Sequence, residues 1–277
     1  MTYEQIRQLS CTMTSDKEQL DALLRGLLAE RSEYSSITIP DSIADKRNLL
    51  RSLMNVRMPA PLSKHLITLQ DSELAEQRKE KGVVDFNTIP VSPLNHRLRL
   101  WQGDITRLKV DAIINAANSQ MLGCFIPIHR CIDNAIHSAA GMQLREECAE
   151  IMRAQGHEEP TGQAKITHAY NLPSKWVIHT VGPIVHGDHP TDEDCHLLAD
   201  CYRNSLSLAD KHNLRSIAFC CISTGEFRFP HEKAAEIAVT TVSEFLDSHP
   251  ASPLATIIFN VFKEVDYHLY KKILGYE

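Results

Sequence analysis

The sequence predicts an α/β protein in which helices pack against a sheet, preceded by a helical extension. Residues 1–92 read as helical, with apolar side chains at helical spacing and little recognisable chemistry. Pro90 and Pro93 bracket a connector, and beyond it short apolar runs alternate with longer amphipathic segments. This alternation is typical of strands and helices that follow one another in a sheet protein. We therefore divide the chain into an extension, residues 1–92, and a main domain, residues 93–277.

Three segments of the extension have the spacing of helices. Leucines on one face predict a first helix over Leu20–Leu28, behind a capping box at Ser15–Glu18. Ile43–Met54 predicts a second amphipathic helix, and the charged segment Ser72–Lys81 predicts a third, closed by Gly82. The simplest interpretation is that the extension is a structural cap packed on the main domain.

The main domain contains six segments with the composition of strands, at residues 97–101, 110–115, 164–170, 176–181, 216–222 and 256–262. Apolar residues at intervals of three or four predict helices over 134–154, 192–212, 231–248 and 265–274. The mostly apolar strand 110–115 suits the centre of the sheet and delivers Asn115 and Asn118 to its carboxyl end. Because ligands bind at the carboxyl ends of strands in open α/β sheets, we expect a binding site there.

The composition limits the classes of function. A formal net charge of −6 argues against a nucleic-acid-binding protein, which usually carries a basic surface. The apolar runs fall far short of the ~20 residues of a membrane span, and the first residues lack the order of a secretory signal. We expect a cytoplasmic protein, monomeric and without membrane contact. Its eight cysteines are too sparse for a disulfide scaffold and are expected to be reduced.

Cys124, His129 and Cys131 form a cluster with the chemistry of a metal site. Zinc prefers thiolate and imidazole ligands, and catalytic zinc sites typically use three protein ligands and keep the fourth position open. Three soft ligands lie here within eight residues, with no fourth at close spacing. The alternative is chance proximity in a chain with 14 histidines. His137 is a weaker candidate, and we expect it to pack against the sheet.

Asp133 has two interpretations that its position leaves open. Placed just before a predicted helix, it could serve as the N-cap, which is worth about 1 kcal/mol. Because it also lies two residues from Cys131, it could orient or deprotonate a metal-activated water.

The segment Ser223–Pro230 links the buried strand 216–222 to the following helix and contains one glycine, Gly225. Such a loop can direct consecutive N–H groups at a phosphate. A single glycine is also compatible with an ordinary tight turn.

Taken in order, these motifs resemble the macrodomain family, especially its MacroD-type ADP-ribosyl hydrolases. The residues that carry the resemblance are Gly103–Thr106, Val110–Asn118, Asp133–Gly141, Ile178–Pro183, Ile222–Gly225 and Phe229–Pro230. The resemblance covers residues 95–275 and implies a three-layer α-β-α fold with a central mixed sheet. Where the MacroD group has a glycine run, this chain has Cys124–Asp133, which is similar to the zinc-dependent microbial macrodomains.

The resemblance also implies roles for individual residues. Cys124, His129 and Cys131 would hold Zn²⁺ beside the distal ribose of ADP-ribose, and Asp133 would assist the attacking water. Asn118 would position the distal ribose and share in catalysis. Asp104 would read the adenine amino group, and Ile105 would also belong to the binding site. The diphosphate would be wrapped by Ser223, Thr224, Gly225, Glu226 and Phe227. Arg228 stands where the family usually has a small residue, a departure within the last loop.

The function that the resemblance implies is removal of mono-ADP-ribose from modified protein side chains by a zinc-dependent hydrolase. A reader that binds ADP-ribose without cleaving it, and a deacetylase of O-acetyl-ADP-ribose, are the alternatives. The sequence leaves open whether zinc binds the attacking water or polarises the ribose oxygen. The resemblance further suggests a microbial setting with a lipoylated carrier protein and a sirtuin-type ADP-ribosyltransferase as partners.

Overall fold

The helices and strands follow the predicted order. The structure, a computed structural model, describes residues 18–276, so Ser15 of the predicted capping box lies outside the described residues. The helices are α1 (18–28), α2 (Ile43–Val56), α3 (Lys64–Lys81), α4 (Ile132–Ala140), α5 (Met142–Gln155), α6 (Asp192–Lys211), α7 (His231–Ser248) and α8 (Glu264–Ile273). The strands are β1 (Val84–Asp85), β2 (Leu98–Gln102), β3 (Leu108–Lys109), β4 (Ala112–Ala117), β5 (Ala164–His168), β6 (Trp176–Val181), β7 (Ser216–Phe219) and β8 (Thr256–Val261).

A mixed six-stranded sheet organises the main domain, in the order β2-β8-β7-β4-β6-β5. All neighbours are parallel except β5, which runs antiparallel to β6 at the edge. The central strand β4 lies between β6 and β7, and five of its six residues are buried. A strand covered by helices on both faces needs a continuous apolar run, which β4 supplies. Its carboxyl end, followed by Asn118, therefore opens at the centre of one sheet edge.

Within residues 18–276, the two largest apolar clusters lie around the sheet and within the extension. The extension core consists of buried side chains from the first three helices: Leu20, Leu23, Leu24, Leu27, Leu50, Leu53, Met54, Leu69 and Leu74. Met142 of α5 belongs to the same core, although it lies in the main domain. The extension is thus packed onto the main domain through shared apolar contacts.

The single helix predicted over 134–154 is wrong, because the chain breaks between α4 and α5 at Gly141. Gly141 has φ 103°, a value that favours glycine, and a Cβ there would lie 2.7 Å from Gln70 Nε2. Gln70 of α3 accepts a hydrogen bond from Met142 N at 2.8 Å, which satisfies an amide at the start of α5. The break is therefore the place where the extension docks.

Smaller differences concern the ends of elements. The third helix begins at Lys64, not Ser72, because Ser63 caps it by accepting a hydrogen bond from Leu66 N at 3.2 Å. The strands predicted over 164–170 and 216–222 end earlier, at His168 and Phe219, where the loops of the candidate site begin. Within residues 18–276, every helix is too short or too polar to cross a bilayer.

We predict that Leu24→Ala destabilises the whole protein and not only the extension. Leu24 is fully buried in the extension core, and removal of a buried leucine side chain typically costs about 2–5 kcal/mol. Urea unfolding should be followed by tryptophan fluorescence, since both tryptophans, Trp101 and Trp176, lie in the main domain. The transition should move to lower urea, whereas exposed Arg25→Ala should shift stability by less than about 0.5 kcal/mol. An unmoved tryptophan transition in Leu24→Ala would mean that the extension unfolds separately.

Candidate active site and metal centre

A cavity of about 1140 Å³ lies at the carboxyl edge of the sheet. Its wall includes all residues to which the family resemblance gives a role: Asp104, Ile105, Asn118, Cys124, His129, Cys131, Asp133, Ser223, Thr224, Gly225, Glu226 and Phe227. These residues follow β2, β4 and β7 along the chain, and the parallel strands bring the segments to one edge. The expected position of the site relative to the sheet therefore agrees with the topology.

The three soft ligands converge at one side of this cavity. We call residues 124–131, between β4 and α4, the metal loop. The ligand atoms of Cys124, His129 and Cys131 all lie within 4.8 Å of one another, and each side chain is half-buried. His129 Nδ1 is buried with no hydrogen-bond partner, although a buried polar nitrogen normally has one. A metal ion bound by Nδ1 and two sulfurs would satisfy this nitrogen, so the residues fit a three-ligand zinc site.

The electrostatics of the cluster also suit a cation. Burial raises the pKa of the Cys131 thiol to about 12, and the nearby Cys124 and Asp133 add to the effect. The Cys131 thiol would therefore stay protonated at neutral pH without a compensating positive charge. A divalent cation beside it reverses this preference because it binds the thiolate form.

Glu226 connects the metal loop with the loop on the other side of the cavity. Its Oε1 lies 3.7 Å from His129 Nε2, the nitrogen opposite the one that lacks a partner. A carboxylate in this position can orient a metal-binding imidazole through the ring N–H that does not face the metal. The carboxylate of Glu226 is three-quarters exposed and leaves the cavity accessible.

Asp133 lies in the first turn of α4 and is almost fully buried. Its interpretation as the N-cap is wrong, because Cys131 occupies that position and its Sγ accepts from Asn134 N at 3.4 Å. Asn115 Nδ2 donates to Asp133 Oδ1 at 2.8 Å, which fixes the carboxylate toward the cavity. Burial raises the pKa of Asp133 to about 6, opposed by the Asn115 hydrogen bond and the charge of Arg145. Asp133 is thus a poorly hydrated carboxylate, which suits a proton acceptor.

Behind Asp133 is a second cluster, consisting of His137, Cys148 and His179, all buried. Both ring nitrogens of His179 already have partners, with Asn115 Nδ2 at 3.1 Å and Thr167 Oγ1 at 2.9 Å. Burial lowers the pKa of His137 well below its ordinary value and that of His179 to about 3, so both rings are neutral. None of the three lines the cavity. Both ring nitrogens of His137 lack a hydrogen-bond partner, and its Nε2 lies 3.5 Å from Asp133 Oδ1. We interpret the cluster as a buried polar core beside Asp133. The expected packing of His137 against the sheet agrees, since its ring centre lies 6.0 Å from that of His179 in β6.

Asp104, Ile105 and Phe262 also line the cavity. Asp104 Oδ1 accepts from Thr106 N at 3.0 Å and from Thr106 Oγ1 at 2.6 Å, and Lys81 Nζ lies 3.4 Å from Oδ2. Burial alone would raise the pKa of Asp104, but these partners lower it below the ordinary value. The Ile105 side chain is buried, so only its backbone can face a ligand. Phe262 is 77% exposed beside them and offers a flat apolar surface.

The loop of residues 220–230 after β7 forms the remaining wall. It turns back on itself through hydrogen bonds from Arg228 N to Gly225 O at 3.0 Å and from Phe229 N to Ser223 O at 2.9 Å. Ser223 and Arg228 have φ of 64° and 58°, left-handed values that a small residue adopts more easily. Within the described residues, the amide N–H groups of 225–227 make no hydrogen bond to the protein. Three successive free N–H groups are suited to a phosphate.

The extension also forms part of the cavity wall, which the interpretation as a purely structural cap did not foresee. Arg51 and Met54 of α2 and Gln77, Arg78 and Lys81 of α3 line it together with the main domain. The extension therefore faces the same space as Asp104 and the metal loop.

Comparison with known proteins decides the family. Residues 114–238 match the family model of the Macro domain. The protein-ADP-ribose hydrolase of Treponema medium is 52% identical over 263 residues, which cover 94% of this chain and 100% of that protein. The chain belongs to the macrodomain family.

Two further relatives extend the comparison. The Trypanosoma brucei macrodomain in complex with ADP-ribose is 33% identical with a TM-score of 0.64, covering 82% of this chain and 95% of that one. A Fusarium oxysporum protein named as a probable bifunctional ADP-ribose hydrolase/ADP-ribosyltransferase is 41% identical over 293 residues. The match covers 95% of this chain and 49% of the fungal protein. The expectation of a macrodomain with a mixed central sheet and a helical N-terminal segment is confirmed.

In this macrodomain, Phe262 and Arg51 are among the cavity-lining residues that sequence reasoning missed. Phe262 directly follows the last strand of the sheet, and its position at a carboxyl strand end was a usable signal. Arg51 carried no such signal, because it is one of several charged residues on an amphipathic helix.

We predict that Gly182→Ala weakens ADP-ribose binding in this macrodomain. A Cβ at position 182 would lie 2.1 Å from Ser223 Oγ and 2.8 Å from Ile222 Cγ2, so the loop after β7 must shift. Overpacking of this kind costs about 1–3 kcal/mol, and we expect affinity to fall about tenfold or more by calorimetry. Gly187→Ala is the control, because its Cβ would meet nothing closer than His189 O at 3.9 Å. Equal affinities of the two variants would refute this account of the loop.

Proposed function

We propose that the protein is a zinc-dependent protein-ADP-ribose hydrolase that removes mono-ADP-ribose from modified side chains. The observation that carries the proposal is the convergence of a three-ligand metal cluster and the buried Asp133 carboxylate in one cavity. A pocket that only binds ADP-ribose needs neither group. The relatives support the activity, since the Treponema medium protein bears the name protein-ADP-ribose hydrolase.

The cavity offers a complementary group for each part of ADP-ribose. Asp104 can accept a hydrogen bond from the exocyclic amine of adenine, and Phe262 can stack on the ring. The free N–H groups of residues 225–227 can bind the diphosphate without net positive charge, which fits a chain of net charge −6. With adenine at Asp104 and the diphosphate at residues 225–227, the distal ribose would face Asn118 and Asp133.

The residues around the distal ribose can perform the hydrolysis. Asn118, whose Nδ2 donates to Gly123 O at 3.3 Å, is fixed beside the metal loop and can position a ribose hydroxyl. Asp133, held by Asn115, accepts the proton of the attacking water. A zinc ion held by Cys124, His129 and Cys131 would supply Lewis acidity at this end of the cavity. The leaving group is then the modified side chain, and free ADP-ribose remains in the pocket.

The source of the substrate follows from the chemistry of the reaction. A protein-linked ADP-ribose must be made by an ADP-ribosyltransferase, and the Fusarium relative joins both activities in its name. We propose that a sirtuin-type transferase attaches ADP-ribose to a lipoylated carrier protein and that this hydrolase removes it. This pairing rests on the resemblance to zinc-dependent microbial macrodomains.

We predict that Cys131→Ser abolishes both zinc content and turnover without removing the cap of α4. Serine is a good N-cap, so the substitution keeps the cap that the thiol provides but removes a thiolate ligand. Mass spectrometry should find about one zinc per chain in the wild type and in Cys195→Ser, whose thiol lies on α6 away from the cavity. Full turnover by zinc-free protein would refute the metal dependence.

We predict that Asp133→Asn slows release of ADP-ribose from modified protein by about 10²–10⁴-fold, because an amide cannot accept the proton. Binding of free ADP-ribose should persist, since the variant keeps the size of the side chain. Asp200→Asn, exposed on α6, is the control and should retain wild-type turnover. Unchanged turnover in Asp133→Asn would remove this residue from the mechanism.

A wild-type protein that binds ADP-ribose but releases none from protein would be a reader, and one that only deacetylates O-acetyl-ADP-ribose would be a deacetylase.

A further inference from the structure

Arg51 of α2 reaches across from the extension to the metal loop. Its Nη2 donates to the backbone carbonyl of His129 at 3.0 Å and to Asn134 Oδ1 at 2.7 Å, and its Nε donates to Asn134 Oδ1 at 3.1 Å. The planar guanidinium thus holds a metal ligand and the first turn of α4 at the same time. Such a fork has donors in fixed directions, which a lysine lacks.

Asn134 passes this contact on to the rest of the loop. It is fully buried, its Nδ2 donates to Ile126 O at 3.0 Å, and its backbone N donates to Cys131 Sγ at 3.4 Å. One side chain therefore touches the middle of the metal loop, while its own amide contacts a ligand sulfur. The oxygen of this side chain accepts from Arg51 and, at 3.3 Å, from Ser138 Oγ.

A second contact from α2 supports a strained residue of the loop. Ile128 has φ 57°, which is unfavourable for a β-branched side chain, and it directly precedes the ligand His129. Asn55 Oδ1 accepts from Ile128 N at 3.0 Å, and Asn55 Nδ2 donates to Ser138 Oγ of α4 at 3.0 Å. Asn55 is 1% exposed, so the contact is a buried part of the fold. The left-handed backbone that directs His129 is thus held from the extension.

Arg145 of α5 joins the end of α2 to the beginning of the loop. It donates to Leu122 O at 2.6 Å and Cys124 O at 3.5 Å on one side, and to Met54 O at 3.0 Å and Asn55 O at 2.8 Å on the other. Its guanidinium also lies 4.3 Å from the centre of the Phe125 ring. The two ends of the metal loop are therefore both tied to α2.

We infer that Arg51 of the N-terminal extension is a positioning residue of the metal centre, which holds His129 and the first turn of α4 in the metal-binding arrangement. The inference rests on the proposed zinc site and deepens it. The extension then does more than cover the main domain: without its α2, the metal loop loses the partners of Ile128 N and of the His129 carbonyl. Arg51 contacts the backbone of a metal ligand, the His129 carbonyl. Its loss should therefore lower the affinity for zinc even when no substrate is bound.

The inference is tested by measuring zinc affinity. Metal-free full-length protein is titrated with zinc in competition with a chromophoric chelator, in the absence of ADP-ribose. Arg51→Met should weaken zinc binding by about 10–100-fold, the usual effect of losing a residue that orients metal ligands. Arg57→Met is the matched control, because this arginine lies directly after α2 and pairs with Glu30 within the extension at 2.7 Å. We expect wild-type zinc affinity in Arg57→Met, and equal losses in both arginine variants would overturn the inference in favour of general loosening.

Arg51→Lys separates geometry from charge. Lysine keeps the positive charge near the thiols but lacks the fork, so we expect it to bind zinc as weakly as Arg51→Met, within about threefold. Wild-type affinity in Arg51→Lys would overturn the positioning role. Thermal melting of each metal-free variant, with affinity measured well below the melting temperature, excludes unfolding as the cause.

The wild-type measurements separate this inference from the proposed function. If wild-type protein binds no zinc or releases no ADP-ribose from modified protein, the proposed function is refuted. If the wild type does both and Arg51→Met binds zinc with wild-type affinity, only the positioning role of Arg51 is refuted.

Discussion

A loop without regular secondary structure cannot by itself keep three metal ligands within range of one ion. Residues 124–131 contain neither helix nor strand, and one of their residues, Ile128, has a left-handed backbone that isoleucine disfavours. Neighbouring elements supply the missing rigidity. Arg51 and Asn55 reach the loop from α2, and Arg145 reaches it from α5. The geometry of the candidate centre therefore depends on buried polar contacts between the extension and the main domain.

The sheet places everything else around that loop. Parallel pairing of β4 with β6 and β7 brings Asn115, Asn118 and the loop after β7 to one edge. Asn115 holds Asp133 through a hydrogen bond, and burial raises the pKa of Asp133 to about 6. The loop after β7, which Gly182 approaches closely at Ser223, forms another wall of the cavity. In the proposed function, the free N–H groups of this loop would bind the diphosphate of ADP-ribose, and the metal ligands would lie beside its distal ribose.

Local patterns predicted what depends on local physics. The apolar run of β4, the helical spacing of α6 and α7 and the polar residues at strand ends were sufficient for the class of fold and for the cavity edge. The break at Gly141 was missed because the apolar period continues through it, and only docking of Gln70 requires it. Asp133 was one candidate for the cap of α4, but the thiol of Cys131 accepts that hydrogen bond instead. Arg51 could not be singled out at all, since its partners lie 78 and 83 residues away in the chain.

One measurement tests the central claim most directly, namely an anomalous-difference map at the zinc absorption edge from crystals of the zinc-loaded protein with ADP-ribose. The account predicts one strong peak within about 2.0–2.3 Å of the Cys124 and Cys131 sulfurs and of His129 Nδ1, with the distal ribose beside the fourth position. A peak among His137, Cys148 and His179, or a fourth protein ligand that closes the site, would contradict it.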